Sequence, residues 1–174
     1  MNRSLAGNER RTINAPMPLF NQTDLLAQLH PGQVLIGLDP GRKRIGIALS
    51  DTRLRVAGPI GQIPRLRLAQ VATELGKLAH REGAGGLVIG WPLDEDGSMG
   101  PAAQAVRDWA RDLSDALGLP AALWNERLST ATVEAQMLEA NLSRARRAAI
   151  VDRVAAAHIL QGFLDAAAGN DAGE

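Results

Sequence analysis

The chain has 174 residues, with 19 basic and 19 acidic side chains giving zero formal net charge, and it has no cysteine. That length fits one domain, or one domain plus a tail, and can bury a core that needs no covalent staple. The composition excludes a disulfide framework and gives no global electrostatic footprint of a nucleic-acid partner. The N-terminal MNRSLAGNERRTINAPMPLF has no continuous apolar segment of signal-peptide type, and no later run approaches a membrane span. A soluble, cytoplasmic protein with no membrane partner is expected.

In chain order, residues 1–31 are expected as an N-terminal arm, because Pro16 and Pro18 interrupt any period. Within the arm, Thr23 or Asp24 is placed to cap a short helix, DLLAQLH, which Pro31 and Gly32 stop. An ordered domain is expected over 32–168, followed by a tail at 169–174. Segments 33–39 and 44–50 are rich in Val, Leu and Ile and are separated by PGRK, which predicts two strands and a tight turn, with a third strand near 56–60. After Pro64, the apolar positions Leu68, Val71, Ala72, Leu75, Leu78 and Ala79 recur at three and four residues, which predicts an amphipathic helix ending near Gly83.

GLVIG at 86–90 predicts a buried strand, and WPLDEDGSMG a loop whose Gly97 and Gly100 are turn residues. Its echo of a calcium loop fails, since the sixth position is Met99 and the twelfth Ala105. Pro101 opens a helix with the stripe Ala102, Val106, Trp109, Leu113 and Leu117, and Gly118 stops it. A fifth strand is expected at 121–124, a helix from Ser129 or Thr130 to about 140, and a last helix from about 146 to 166. Short loops pair the first strands antiparallel and helical crossovers make the later ones parallel. The expected fold is therefore α/β, a five-stranded mixed sheet flanked by helices.

Three acids stand where packing alone explains them poorly. Asp39 ends the apolar run VLIGLDPG, Glu126 follows AALWN, and Asp152 interrupts IVDRVAAAHIL. On a helix, Asp152 shares a face with Ala156, Ile159 and Phe163, and the neighbouring alanines would let that helix approach the sheet closely. An unpaired buried carboxylate costs several kcal/mol, so a shared cation rationalises all three. Hard oxygen donors without cysteine suit Mg²⁺ or Mn²⁺ better than zinc. Separately, each acid has a plainer reading: Asp39 as a turn residue, Glu126 paired with Arg127, and Asp152 paired with Arg147 or Arg153. Such acids can hold ions that activate water against a phosphodiester. Lys43, Arg44, Arg127, Arg146 and Arg147 are then the candidate phosphate contacts, against a solvated surface role for each.

Together, LIGLDPGRKRIGIALSD, LVIGWPLDEDGSMG, NERLSTATVEA and VDRVAAAHILQGFLD resemble the YqgF family of pre-16S rRNA nucleases, also called a Holliday junction resolvase family. The match runs from about Leu35 to Asp165. The resemblance implies a ribonuclease H-like fold and metal-dependent cleavage of nucleic acid. The family's acids fall on Asp39, Glu126 and Asp152, and its commonest substrate is the 5′ end of precursor 16S rRNA. Branched DNA is the alternative substrate, and a non-catalytic nucleic-acid-binding or ribosome-associated factor the alternative function. Oligomeric state, monomer or dimer, stays open. Two departures stand out: Asn125 occupies the position of the family's Asp before the glutamate, and AAIVD lacks a lysine for which Arg146 or Arg147 would substitute.

Overall fold

The computed structural model describes residues 17–125 and 143–171; for 147–153 and 170–171 it describes the helix backbone alone. Six strands form one sheet: β1 (Leu19–Phe20), β2 (Val34–Pro40), β3 (Arg44–Ser50), β4 (Ala57–Pro64), β5 (Ala84–Trp91) and β6 (Ala121–Asn125). The helices described are α1 (Gln22–Ala27), α2 (Leu68–Glu82), α3 (Pro101–Leu117) and α4 (Arg144–Asp171). Spatial order across the sheet is β1-β6-β5-β2-β3-β4. The short loops make β2–β3 and β3–β4 antiparallel, and the crossovers through α2 and α3 make β2–β5 and β5–β6 parallel. The expected mixed α/β sheet is present.

The sheet has six strands rather than the expected five. The addition is β1, two residues that pair parallel with Ala121 and Ala122 at the edge of β6. A pair of residues between Pro18 and Asn21 has no length over which alternation can be read. Residues 17–31 therefore touch the sheet within the span expected as an arm, and Leu25 of α1 is fully buried. The cap of α1 is Asn21, whose side chain accepts the Asp24 N–H at 2.8 Å, and not Thr23 or Asp24. The helix expected from Ser129 or Thr130 lies outside the described residues.

Glycines in the left-handed region close α2 and α3, Gly83 at φ 69° and Gly118 at φ 64°. In α3 the expected Val106 and Leu113 are buried and Trp109 and Leu117 pack against the core, while Ala102 is exposed and Ala103 and Ala110 are buried in addition.

Alternation along each strand divides the core between two faces. Ile36, Leu38, Ile45, Ile47 and Ile89 face α2 and α3. Leu35, Ala48, Val88 and Ala122 face α4, against Ala156, Ile159, Leu160 and Phe163. At Gly37 the second face is exceptionally close, since a Cβ there would lie 2.8 Å from Leu160 Cβ and 3.0 Å from the Ala156 carbonyl. The helix backbone thus rests on β2.

α4 runs back along β2. Its C-terminal half meets α1, because Gln22 donates to the Phe163 carbonyl. Leu25 of that helix packs against Gly86, near the start of β5. Further along β2, Gly37 meets Ala156 and Leu160. The N-terminal half of α4 therefore lies toward the end of β2, where Asp39 sits. Among the described residues, no helix is long and apolar enough to cross a membrane.

Candidate active site

Asp39 is the penultimate residue of β2 and is half-buried. Period-two alternation puts it on the α4 face with Leu35 and Gly37, while Leu38 turns to the opposite core. The Gly41 N–H donates to the Asp39 carbonyl at 3.0 Å, so the chain turns immediately after the carboxylate. Across the sheet, Asp39 pairs with Gly46 and Gly46 with Gln62. Gly46 has no side chain, which leaves the floor beside Asp39 low. Beyond it, Gln62 Oε1 is buried without a hydrogen-bond partner. An unsatisfied buried acceptor of this kind needs a donor, which an ordered water supplies.

The other predicted donors are less fully described. Asn125 ends β6 opposite Trp91, and Glu126 and Arg127, which follow it, lie outside the described residues. Residue 152 belongs to α4, one turn before Ala156, and its side chain, like those of Arg147 and Arg153, is outside the description. Among the described residues, no three His, Cys, Asp or Glu side chains gather closely enough to hold an ion.

Lys43, Arg44 and Arg146 are the predicted phosphate contacts whose side chains are described. Arg42, Lys43 and Arg44 are exposed on the β2–β3 turn, and Arg144 and Arg146 are exposed in the first turn of α4. A residue that sequence reasoning missed joins them. Arg65, just past β4, donates from Nη1 to the carbonyls of Gly41 at 2.8 Å and Pro40 at 3.3 Å, and its guanidinium carbon lies 5.4 Å from the centre of the Trp109 ring. No motif marks it. Its only sequence signal is its position between Pro64 and the apolar period of α2.

Trp91, Trp124 and the loop after β5 have structural roles. Trp91 donates to the Ala103 carbonyl at 3.0 Å, and Trp124 meets Phe163 edge-on at 5.6 Å. The DEDGSMG loop closes on itself, with the Gly97 N–H on the Asp94 carbonyl and the Ser98 N–H on Asp96 Oδ1. That is the expected turn.

A mixed sheet in this order, with an acid at the end of a central strand and α4 laid across that strand, is the arrangement expected of a ribonuclease H-like domain. The family model described as "RuvX: Holliday junction resolvase" matches residues 33–166, and the chain belongs to that family. A relative from Gluconacetobacter diazotrophicus, named "Putative pre-16S rRNA nuclease", is 54% identical over 87% of this chain and 99% of its own. One of the same name from Acidiphilium cryptum is 52% identical, covering 86% of this chain and 94% of its own. Among solved structures, Thermus thermophilus RuvC in complex with a Holliday junction substrate is similar over 78% of this chain and 96% of that one, at 13% identity and a TM-score of 0.46.

Proposed function

We propose that this chain is a divalent-metal-dependent nuclease that hydrolyses phosphodiester bonds and trims the 5′ end of precursor 16S rRNA in the cytoplasm. The carrying observation is Asp39, a half-buried carboxylate at the end of β2 on the face that α4 crosses. The names of relatives about half identical over most of the chain support the substrate. Asp39, Glu126 and Asp152 form the donor set of this reading. Three hard oxygen donors in a chain without cysteine suit Mg²⁺ or Mn²⁺. Such an ion, when bound, activates water and neutralises charge on the leaving oxygen.

The chain's own residues supply position and charge. Asp39 contributes a carboxylate whose backbone the sheet holds rigid, and Asn125 contributes an amide that orients a ligand without adding negative charge. Lys43, Arg44, Arg127, Arg146 and Arg147 neutralise phosphates on either side of the cleaved bond.

The test is cleavage of 5′-extended 16S rRNA precursor by wild-type and Asp39→Asn proteins, with Mg²⁺, Mn²⁺ or chelator. Cleavage should need the metal and vanish in the variant while RNA binding persists. Undiminished cleavage by Asp39→Asn rejects the reading. The family's description favours a second substrate, the four-way DNA junction, and that DNA belongs in the same assay. Symmetric resolution needs two active sites, so a protein that stays a strict monomer on the junction would count against this second reading.

A further inference from the structure

We propose that Arg65 is a preorganised phosphate-binding residue of this site, gripping a backbone phosphate of single-stranded RNA next to the one cleaved; the inference rests on the nuclease reading above. Two separate segments, the β2–β3 turn and α3, hold this side chain and its backbone. The Arg65 N–H donates to the Lys43 carbonyl at 2.9 Å, Nη1 donates to Gly41 and Pro40, and the guanidinium lies over Trp109. One nitrogen and one flat side of the group are thereby occupied. Nε and Nη2 make no hydrogen bond among the described residues.

Charge makes the arrangement more than a brace for the turn. The ion pairs among the described residues are Lys77–Glu74 and Arg81–Glu82, so no carboxylate balances Arg65 there. Its partners are carbonyl dipoles and an aromatic face, which orient a cation without cancelling its charge. A turn needing only hydrogen bonds would be served by a neutral donor. Because the side chain is already ordered in the free protein, binding does not have to immobilise it, and the open edge of the fork matches the geometry of phosphate oxygens.

Its neighbours share the same sign. Arg44 pairs across the sheet with Pro64, which brings the turn carrying Arg42, Lys43 and Arg44 beside the junction carrying Arg65 and Arg67. Those four neighbours are exposed. The resulting basic surface adjoins the turn that begins at Asp39. A strand whose cleaved bond sits at Asp39 would carry its next phosphates over this surface.

The experiment measures binding of a labelled RNA spanning the 5′ end of the 16S precursor in EDTA, so that nothing is cleaved, as a function of salt. Proteins compared are wild type, Arg65→Met and Arg65→Lys, each with its melting temperature. Losing one phosphate contact on a single strand should reduce the slope of log K against log[salt] by about 0.7 in Arg65→Met. The affinity should fall about tenfold, the scale of one charge-assisted hydrogen bond. Arg65→Lys should restore the slope and only part of the affinity, because it keeps the charge and loses the fork. Should Arg65→Met not fold, Arg65→Gln retains a donor for Gly41 and carries the same expected slope.

An unchanged slope in the folded neutral variant reduces Arg65 to a brace and overturns the proposal. A wild type that does not bind this RNA overturns the proposal together with the nuclease reading. If the slope falls as expected but no metal supports cleavage, the phosphate site stands and the nuclease reading alone fails.

Discussion

On the α2 and α3 side of the sheet, Ile36, Leu38, Ile45, Ile47 and Ile89 meet Val71, Leu75, Val106 and Leu113. On the α4 side, Gly37, Ala48 and Ala122 meet Ala156 and Ala157 alongside Leu25, Leu35, Ile159, Leu160 and Phe163. Large branched side chains remove much apolar area from water and hold the helix axes away from the strands. Small ones bury less and let backbones touch. The first face therefore carries more of the stability, and the second fixes how closely a helix can stand to the strand that ends in Asp39.

Substitutions can break that contrast. Leu75→Ala, on the bulky face, should cost about 2–5 kcal/mol by chemical denaturation, because a fully buried Leu leaves a cavity. Its cleavage rate per folded molecule should stay near wild type. Gly37→Ala, on the close face, should cost about 1–3 kcal/mol, since the added Cβ would sit 2.8 Å from Leu160 Cβ. Single-turnover cleavage should fall far more than the loss of folded protein explains, because the helix must lift from β2. Full cleavage in a folded Gly37→Ala protein would refute the spacing role.

Smaller effects sharpen the comparison at the edges of the α4 face. Asn21→Ala removes the acceptor of the Asp24 N–H and should cost about 1 kcal/mol by thermal unfolding, loosening the short helix that meets α4. The smallest effect is a pH dependence at the turn after β3. The Val56 and Arg55 amides donate to Asp51 Oδ1 and hold its carboxyl below the ordinary carboxylate range. With a depressed folded-state pKa, its contribution is present above the unfolded pKa and is lost as pH falls through the folded value. Gln161 of α4 binds this same turn, accepting from the Ala57 N–H at 2.8 Å and donating to the Arg55 carbonyl at 2.9 Å. A carboxyl NMR titration should give a midpoint below that of Asp51 in the unfolded chain, with faster exchange of the Val56 amide under acid.

Much of this architecture was legible because it is locally encoded. β2, β3, β5 and β6 are contiguous apolar runs, and Gly83 and Gly118 mark helix ends that require a left-handed residue. β4 extends to Pro64, beyond the expected stretch near 56–60, because Arg44, Ile45 and Gly46 pair with Pro64, Ile63 and Gln62. That pairing is a property of the neighbouring strand. β1 was illegible for the same reason, its two residues being ordered by β6, distant in sequence. The α1 cap was ambiguous because Asn21, Thr23 and Asp24 all have suitable chemistry, and the structure selects the one directly after β1.

At the site, the place of Asp39 at the end of a strand was readable from the apolar run before it. The common location of Asp39, Glu126 and Asp152 remains part of the proposed function. Arg65 was not readable. Its partners are the Pro40–Gly41 turn and Trp109 of α3, two segments that come together only after folding.

β1 also governs how the sheet can meet another polypeptide. By pairing with the start of β6 it occupies part of a flank whose free amides and carbonyls would otherwise template strand addition. The opposite flank, β4, carries Pro59 and Pro64, and its ladder to β3 shifts register between Ile47 and Ala48. Proline and irregular pairing make that border a poor partner for a further strand. Self-association by lateral growth of the sheet is thus disfavoured at both margins, and two copies that meet would do so through side-chain surfaces.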